Sequence, residues 1–185
     1  MDLTSELLWD PAAQVRLVAM EESHVPHFLP LFQDVASLRL YLPALARPMS
    51  EPQLRGMLAD WHDASSSFVF TVLHKGEVAG LVNLESVDWT NRSAETGIAI
   101  LPGEHRGQGV ATASMRLLLR FVFREMDLHR IQARIQDGNA ASLHLFESLG
   151  FHKEGTMREA VLRSGVRKDL HLYSLLAAEW PALNS

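Results

Sequence analysis

Cysteine is absent from this 185-residue chain. That absence excludes a disulfide framework, a thiolate nucleophile and a cysteine-based metal site. Long apolar runs are missing too, since none approaches the roughly 18 residues that a membrane-spanning helix needs. Acids precede the first basic residue, Arg16, and the apolar run Leu7-Leu8-Trp9 is too short for a signal peptide. No Pro-, Gly- or Ser-rich tract, charge block, low-complexity segment or internal repeat separates two domains. Excess positive charge is likewise lacking: the net charge of −5 disfavours a nucleic-acid binder that works by phosphate neutralisation and tilts toward a cationic substrate or partner. A soluble cytoplasmic protein is the expectation.

What is present suffices for a core. With 47% apolar residues, the chain suits one domain, expected over residues 14–180 between an N-terminal extension, 1–13, and a C-terminal tail, 181–185. The chain reads as mixed α and β. Gln14 to Ala19 alternates as a strand. Ser23 can cap a helix through about Ser37 with Val25, Phe28, Leu29, Phe32 and Val35 on one face, and Ser50 with Pro52 opens another through about Ala64. Tyr41 to Pro48, with two prolines, is expected to be irregular and to shape an acceptor pocket. Phe68–Leu73 and Val78–Val87 flank His74-Lys75-Gly76-Glu77 as a β-hairpin. Ala94–Leu101 and Arg130–Gln136 are further strands, and two closing strands start at Phe151 and span Asp169–Leu175 around Ser164-Gly165-Val166.

Arg106-Gly107-Gln108-Gly109-Val110-Ala111 lies between the strand ending at Leu101 and a helix starting near Thr112. Two glycines let several main-chain N–H groups converge on one anion, and the helix adds its N-terminal dipole and unpaired amides. On that helix Met115, Leu118, Leu119, Val122, Phe123 and Met126 form a core stripe. Arg116, Arg120 and Arg124 form a second stripe that reads as a solvated face before it reads as a phosphate clamp. A P-loop would need Gly-Lys-Ser/Thr after a longer glycine spacing, and a dinucleotide fingerprint would need a third glycine where Thr112 stands. The nine histidines show no metal-ligand spacing: His24 and His27 lack a third ligand, and His105, beside Arg106, reads as an exposed-loop histidine with contact to a bound phosphate as the alternative. No metal is expected. Trp61, Trp89 and Trp180 read as packing residues, with Trp89 placed where an acceptor can meet it.

Further along, Asn139-Ala140-Ala141-Ser142 precedes Leu149-Gly150-Phe151, with Asn139 as a helix cap and Gly150 as the left-handed helix end. The Arg106–Ala111 segment resembles the R/Q-x-x-G-x-G/A acyl-CoA motif of the GCN5-related N-acetyltransferases. The NxxS and GF residues resemble the signature of the branch that contains the ribosomal-protein N-acetyltransferases of RimJ/RimL type. The resemblance extends from about Val15 to Trp180, including Gly155-Thr156-Met157-Arg158-Glu159 and Tyr173-Ser174-Leu175-Leu176. It implies an α/β (α+β) fold in which about four helices flank a mixed, twisted sheet of six to seven strands. Two middle strands, here Ala94–Leu101 and Arg130–Gln136, would splay apart to hold acetyl-CoA.

The resemblance further implies that Ala99, Ile100 and Leu101, the loop Arg106, Gly107, Gln108, Gly109, Val110, Ala111 and Thr112, and Asn139 with Ser142 contact the cofactor. A strand N–H near Ala99 or Ile100 would polarise the thioester. An acceptor amine, with a pKa of roughly 10, must lose a proton before attack. Glu95, Asp88 and Glu85 compete as the base, and a water chain with no dedicated residue is a further alternative. Ser142 is the candidate acid for the departing thiolate, against a local hydroxyl-to-backbone bond. Direct acetyl transfer to a primary amine is expected, the acceptor being a protein N-terminus or a small molecule and the enzyme a monomer or homodimer. A non-catalytic acyl-CoA sensor on the same fold is the alternative.

Overall fold

The computed structural model describes residues 8–42, 46–61, 63 and 65–180. In chain order these form β1 (Trp9–Asp10), β2 (Val15–Ala19), α1 (Val25–Gln33), α2 (Val35–Tyr41), α3 (Glu51–Trp61), β3 (Phe68–His74), β4 (Glu77–Asp88), β5 (Ser93–Ile100), α4 (Val110–Arg124), β6 (Arg130–Gln136), α5 (Ala140–Ser148), β7 (His152–Arg163) and β8 (Val166–Leu176). The expected N-terminal extension and C-terminal tail fall largely outside these residues, as do Pro43, Ala44 and Leu45 of the acceptor segment. Among the described residues no helix is long and apolar enough to cross a membrane.

Hydrophobic alternation builds the sheet, in the order β1-β2-β3-β4-β5-β6-β8-β7. Its eight strands exceed the expected number partly because the short β1 pairs with β2 through Trp9↔Arg16 and Asp10↔Val15. Lys75 and Gly76, both at positive φ, join β3 to β4 where His74 opposes Glu77, and their conformation matches the right-handed twist of the strands. Core forms on both faces. Val82, Leu84 and Ile131 pack with α4 and α5, whereas Val69, Leu81 and Ala99 pack with α1, α2 and α3. On α4, Met115, Leu118, Leu119 and Val122 are fully buried, each large apolar side chain contributing about 2 kcal/mol of transfer free energy.

The single helix expected from Ser23 to Ser37 is two helices. A short 3₁₀ turn, Glu22–His24, precedes α1, and Asp34 ends α1 in an extended conformation while its carboxylate accepts from the Ala36 and Ser37 amides to cap α2. Apolar periodicity did not register that stop, because Asp34 falls on the exposed face and leaves the buried stripe unbroken. The helix proposed through Ala64 ends at Trp61 among the described residues.

One pairing creates the site. Strands β5 and β6 run parallel and pair only through Ser93↔Arg130, Ala94↔Ile131 and Glu95↔Gln132. Beyond Glu95, β5 stays bonded to β4 as far as Ile100, and β6 stays bonded to β8 as far as Gln136. The two strands therefore diverge into a wedge. Beside its closed end, Arg130 of β6 pairs with Glu154 of β7, and Glu154 also accepts from the Ser174 hydroxyl of β8 at 2.7 Å. These donors hold the Glu154 carboxyl down at about 2, against its ordinary 4.5. A depressed carboxylate stabilises the fold fully above its unfolded pKa and loses that contribution as pH falls through the folded value. Glu154→Gln is thus expected to lower the melting temperature at neutral pH and to flatten its decline between pH 4.5 and 2. An unchanged acid limb in thermal melts would remove this cluster from the stability of the wedge.

Candidate active site

The wedge opens into a cleft of about 460 Å³ between β5, the loop after it and α5, lined by Ile98, Ala99, Ile100, Arg106, Gly107, Gly109, Val110, Ala111, Thr112, Asn139 and Ser142 among others. Two of the expected cofactor contacts are not on its wall. Leu101 turns its N–H to the Ala79 carbonyl at 2.8 Å and packs into the core around α1 to α3. Gln108 donates to the Glu104 carbonyl and accepts from Lys75 Nζ at 3.4 Å.

The Leu101 bond also fixes which peptide groups face the cleft. Gly80 stands opposite Ile100, and bonded and non-bonded pairs alternate along antiparallel strands. The Ala99 peptide groups therefore turn to β4, and those of Ile98 and Ile100 turn to the wedge. Of the two amides expected to polarise a thioester, that of Ile100 faces the wedge and that of Ala99 does not. The Ile100 carbonyl is taken by Arg106, whose Nε and Nη2 donate to it at 3.2 and 3.0 Å. This bridge pins the glycine loop to the end of β5.

Helix α4 begins two residues earlier than its apolar stripe indicates, at Val110, with Gly109 as its cap at φ 76° and no side-chain capping bond. The first-turn amides, through Thr112, have no intrahelical acceptor. Gly107 (φ +74°) and Gly109 sit in backbone conformations that L side chains avoid, and a Cβ on either would point into open space. Bare amides, two left-handed glycines and a positive helix end make an anion cradle. His105 lines the same cleft, its Nδ1 lying 3.1 Å from that of His74, whose buried ring is held below the ordinary histidine range by desolvation first and by Lys75 second. Glu77, Glu104 and His105 bring metal-ligand atoms within 4.8 Å of one another, but both carboxylates are exposed. Arg116 and Arg120 line a separate cavity with Trp9 and Trp180, away from this cleft.

Helix α5 stands across from the cradle. Asn139 Oδ1 accepts from the Ser142 amide at 3.2 Å, as the capping pattern predicts, while Nδ2 reaches the Leu40 carbonyl at 3.5 Å and so ties α5 to α2. Among the described residues the Ser142 hydroxyl makes no hydrogen bond, so the local backbone bond that competed with an acid role is not formed. Ser142→Ala is expected to lower kcat about tenfold while leaving acetyl-CoA affinity within twofold. Equal turnover by the two proteins would dismiss the hydroxyl as an acid.

A second cavity, of about 220 Å³, adjoins the cleft, sharing Leu40 and Tyr41 as its wall. Strand β5 runs through both: Glu95, Thr96 and Gly97 line the second cavity, and the next three residues line the cleft. Glu85 and Glu95 face each other across β4 and β5 and both line the second cavity. Burial, and then the nearby Glu95 charge, push the Glu85 carboxyl above its ordinary value, with Arg134 and Asn83 opposing. Glu95 accepts from Arg134 Nε at 2.7 Å. Asp88 is elsewhere. Its oxygens accept from the Thr90 and Asn91 amides and the Asn91 side chain, which lower its pKa, and it lines neither cavity.

A half-buried polar chain supports Glu85. Tyr41 donates to Asn83 Oδ1 at 2.9 Å, and Asn83 Nδ2 donates to Glu85 Oε1 at 2.6 Å. Asn83 fits because residue 97 is glycine, where a Cβ would stand 2.9 Å from Asn83 Oδ1. Trp61 packs edge-on against Tyr41 at 6.1 Å and lines this cavity. Trp89, the tryptophan expected near an acceptor, instead donates its indole N–H to the Ser65 carbonyl and lines neither cavity. Sequence reasoning missed Tyr41 as a polar donor, Asn83 and Arg163. Only Asn83, a lone amide within Leu81-Val82-Asn83-Leu84, carried a readable signal, because a buried amide must be hydrogen-bonded.

Comparison with known proteins agrees with this architecture. Residues 14–152 match the acetyltransferase (GNAT) domain, and the chain belongs to that family of acetyl-CoA-dependent N-acetyltransferases. YdaF from Bacillus subtilis (strain 168), provisionally named a ribosomal N-acetyltransferase, is 37% identical over 109 residues, which span 59% of this chain and 59% of that protein. The spermidine N(1)-acetyltransferase of Vibrio cholerae (strain El Tor Inaba N16961) is 32% identical over 120 residues, 64% of this chain and 68% of its own. A crystal structure of spermidine N-acetyltransferase from Vibrio cholerae with CoA and spermine has a TM-score of 0.82 at 26% identity, covering 90% of this chain and 97% of that one.

Proposed function

We propose that this protein transfers acetyl directly from acetyl-CoA to a primary amine, with Glu85 as the base and Ser142 as the acid. The observation that carries this reading is the continuity of β5, which leads from a carboxylate-lined cavity into a cleft floored by the anion cradle. In this reading the CoA diphosphate lies on the amides from Gly107 to Thr112, and the pantetheine arm lies along the free N–H of Ile100 and the peptide groups of Ile98. The thioester carbonyl then meets the Ile98 N–H, beside Gly97 and the Asn83–Glu85 pair.

Glu85, raised by burial, takes a proton from the acceptor ammonium, and the amine nitrogen adds to the thioester carbon. The developing oxyanion is stabilised by the strand amide. Collapse of the tetrahedral intermediate breaks the carbon–sulfur bond, and the nitrogen gives up its second proton. The Ser142 hydroxyl passes a proton to the departing thiolate and takes that one back through solvent, while Glu85 returns its own to water. Acetylated amine and CoA leave with no covalent enzyme intermediate. Glu95, neutralised by Arg134, is the weaker base candidate, and Asp88 is too fully engaged by its own turn.

Spermidine and ribosomal-protein acetyltransferases among the relatives make an amine the natural acceptor class, and the RimJ/RimL-type branch remains the reading that the NxxS and GF residues favour. A thiol-release assay with acetyl-CoA and a panel of N-terminal peptides, polyamines and amino acids tests the proposal. CoA release that depends on an added amine supports transfer. Acetyl-CoA binding without release for every amine would support the sensor instead.

A further inference from the structure

The acceptor cavity is not uniformly acidic. Besides Glu85 and Glu95 its wall carries three guanidinium groups, those of Arg39, Arg134 and Arg163. Arg134 is matched by Glu95. Among the described residues, neither Arg39 nor Arg163 meets a carboxylate. Arg39 Nη1 donates to the Ser164 hydroxyl at 2.6 Å. Arg163 Nε donates to Gln136 Oε1 at 2.7 Å and to the Arg39 carbonyl at 3.0 Å, and its Nη2 reaches the Leu42 carbonyl at 2.8 Å. Two like charges thus share one wall, and burial together with the Arg39 charge pulls Arg163 below the ordinary arginine range.

The arrangement is held in place. Arg163, from the tip of the β7–β8 hairpin, clasps the carbonyls at the C-terminal end of α2, so its charge is fixed before any ligand arrives. Among the described residues the Arg39 guanidinium is tied only to a neutral hydroxyl, a partner that an anion can replace at a gain, because charge-assisted guanidinium bonds are stronger than neutral ones. A polycation entering this cavity would find Glu85 favourable and both arginines repulsive. The net charge of the whole chain, −5, is therefore a poor guide to this local field.

Building on the transfer reading above, we infer that the preferred acceptor is an amine that also bears a carboxylate, its amine at Glu85 and its carboxylate beside Arg39 and Arg163. Free acidic amino acids and acidic peptide termini share that chemistry. Specificity then arises from repulsion of polyamines as well as from attraction of the zwitterion.

The test compares Ala-Asp-Ala-amide, Ala-Asn-Ala-amide, free L-aspartate and spermidine in the thiol-release assay, using the parent chain and Arg39→Gln. Arg39 is chosen because its side chain holds one hydroxyl, whereas Arg163 holds backbone. The expected result is a kcat/KM for an aspartyl acceptor on the order of tenfold above its asparaginyl match, carried by KM. Arg39→Gln should bring that ratio close to one. Preference between L-aspartate and the aspartyl peptide tells a metabolite from a chain terminus. Equal rates for the Asp and Asn peptides, or spermidine as the best acceptor, would overturn this inference and leave amine acetylation standing. Silence with every amine would overturn the transfer reading and this inference together.

Discussion

Gly109→Glu is expected to abolish acetyl-CoA binding, with the dissociation constant in isothermal titration calorimetry rising more than about 100-fold. Three effects act together. Residue 109 caps α4 at φ 76°, a left-handed conformation that costs a non-glycine residue roughly 1 kcal/mol or more. The new carboxylate stands where the diphosphate must lie and repels it at short range. It also competes for the first-turn amides, since acidic side chains are themselves favourable at a helix N-terminus. That last effect keeps the fold intact, so the melting temperature should change little while affinity disappears. Near-normal affinity in a folded variant would remove the glycine loop from the cofactor site.

Glu85→Gln should lower kcat by about 10²- to 10³-fold with acetyl-CoA affinity unchanged. The base must be ionised to accept a proton, so in the parent enzyme activity falls as pH drops through its pKa. Burial and the Glu95 charge raise that pKa above the ordinary glutamate value, and the Asn83 amide lowers it. The acid limb of the pH–rate profile should therefore lie above pH 4.5 and vanish in Glu85→Gln. It should move to higher pH in Asn83→Leu, which deletes the opposing donor, and to lower pH in Glu95→Gln, which deletes the like charge. Asp88→Asn should keep the parental limb. Loss of the limb in Glu95→Gln with retention in Glu85→Gln would transfer the role to Glu95.

Local signals made much of this molecule legible from sequence. Strand β6 stands at Arg130–Gln136, the bounds expected for it. The Asn139 cap and the left-handed Gly150 bound α5 as expected, and the glycine loop leads directly into α4. These features depend on backbone chemistry within a few residues. What was not legible depends on partners far apart in the chain. Asp34 is the local exception, dividing a helix by capping the next one through amides two and three residues on, which an apolar stripe cannot report.

The choice among three carboxylates shows the same limit. All three lie at or near neighbouring strands, yet only register and burial distinguish Glu85, desolvated on the chain from Tyr41 and Asn83, from Glu95 against Arg134. Asp88 sits past a register shift that begins after Glu85 and serves its own turn. Arg39 and Arg163 meet across 124 residues, and no spacing rule anticipates them.

The decisive measurement is a crystal structure of this chain with CoA or acetyl-CoA bound. The diphosphate oxygens should accept hydrogen bonds from the main chain between Gly107 and Thr112. The sulfur should lie in the wedge beside the Ile98 N–H, within reach of the Ser142 hydroxyl. A diphosphate seated against the Arg116–Arg120 cavity, or a pantetheine arm outside the wedge, would contradict the assignment of the site.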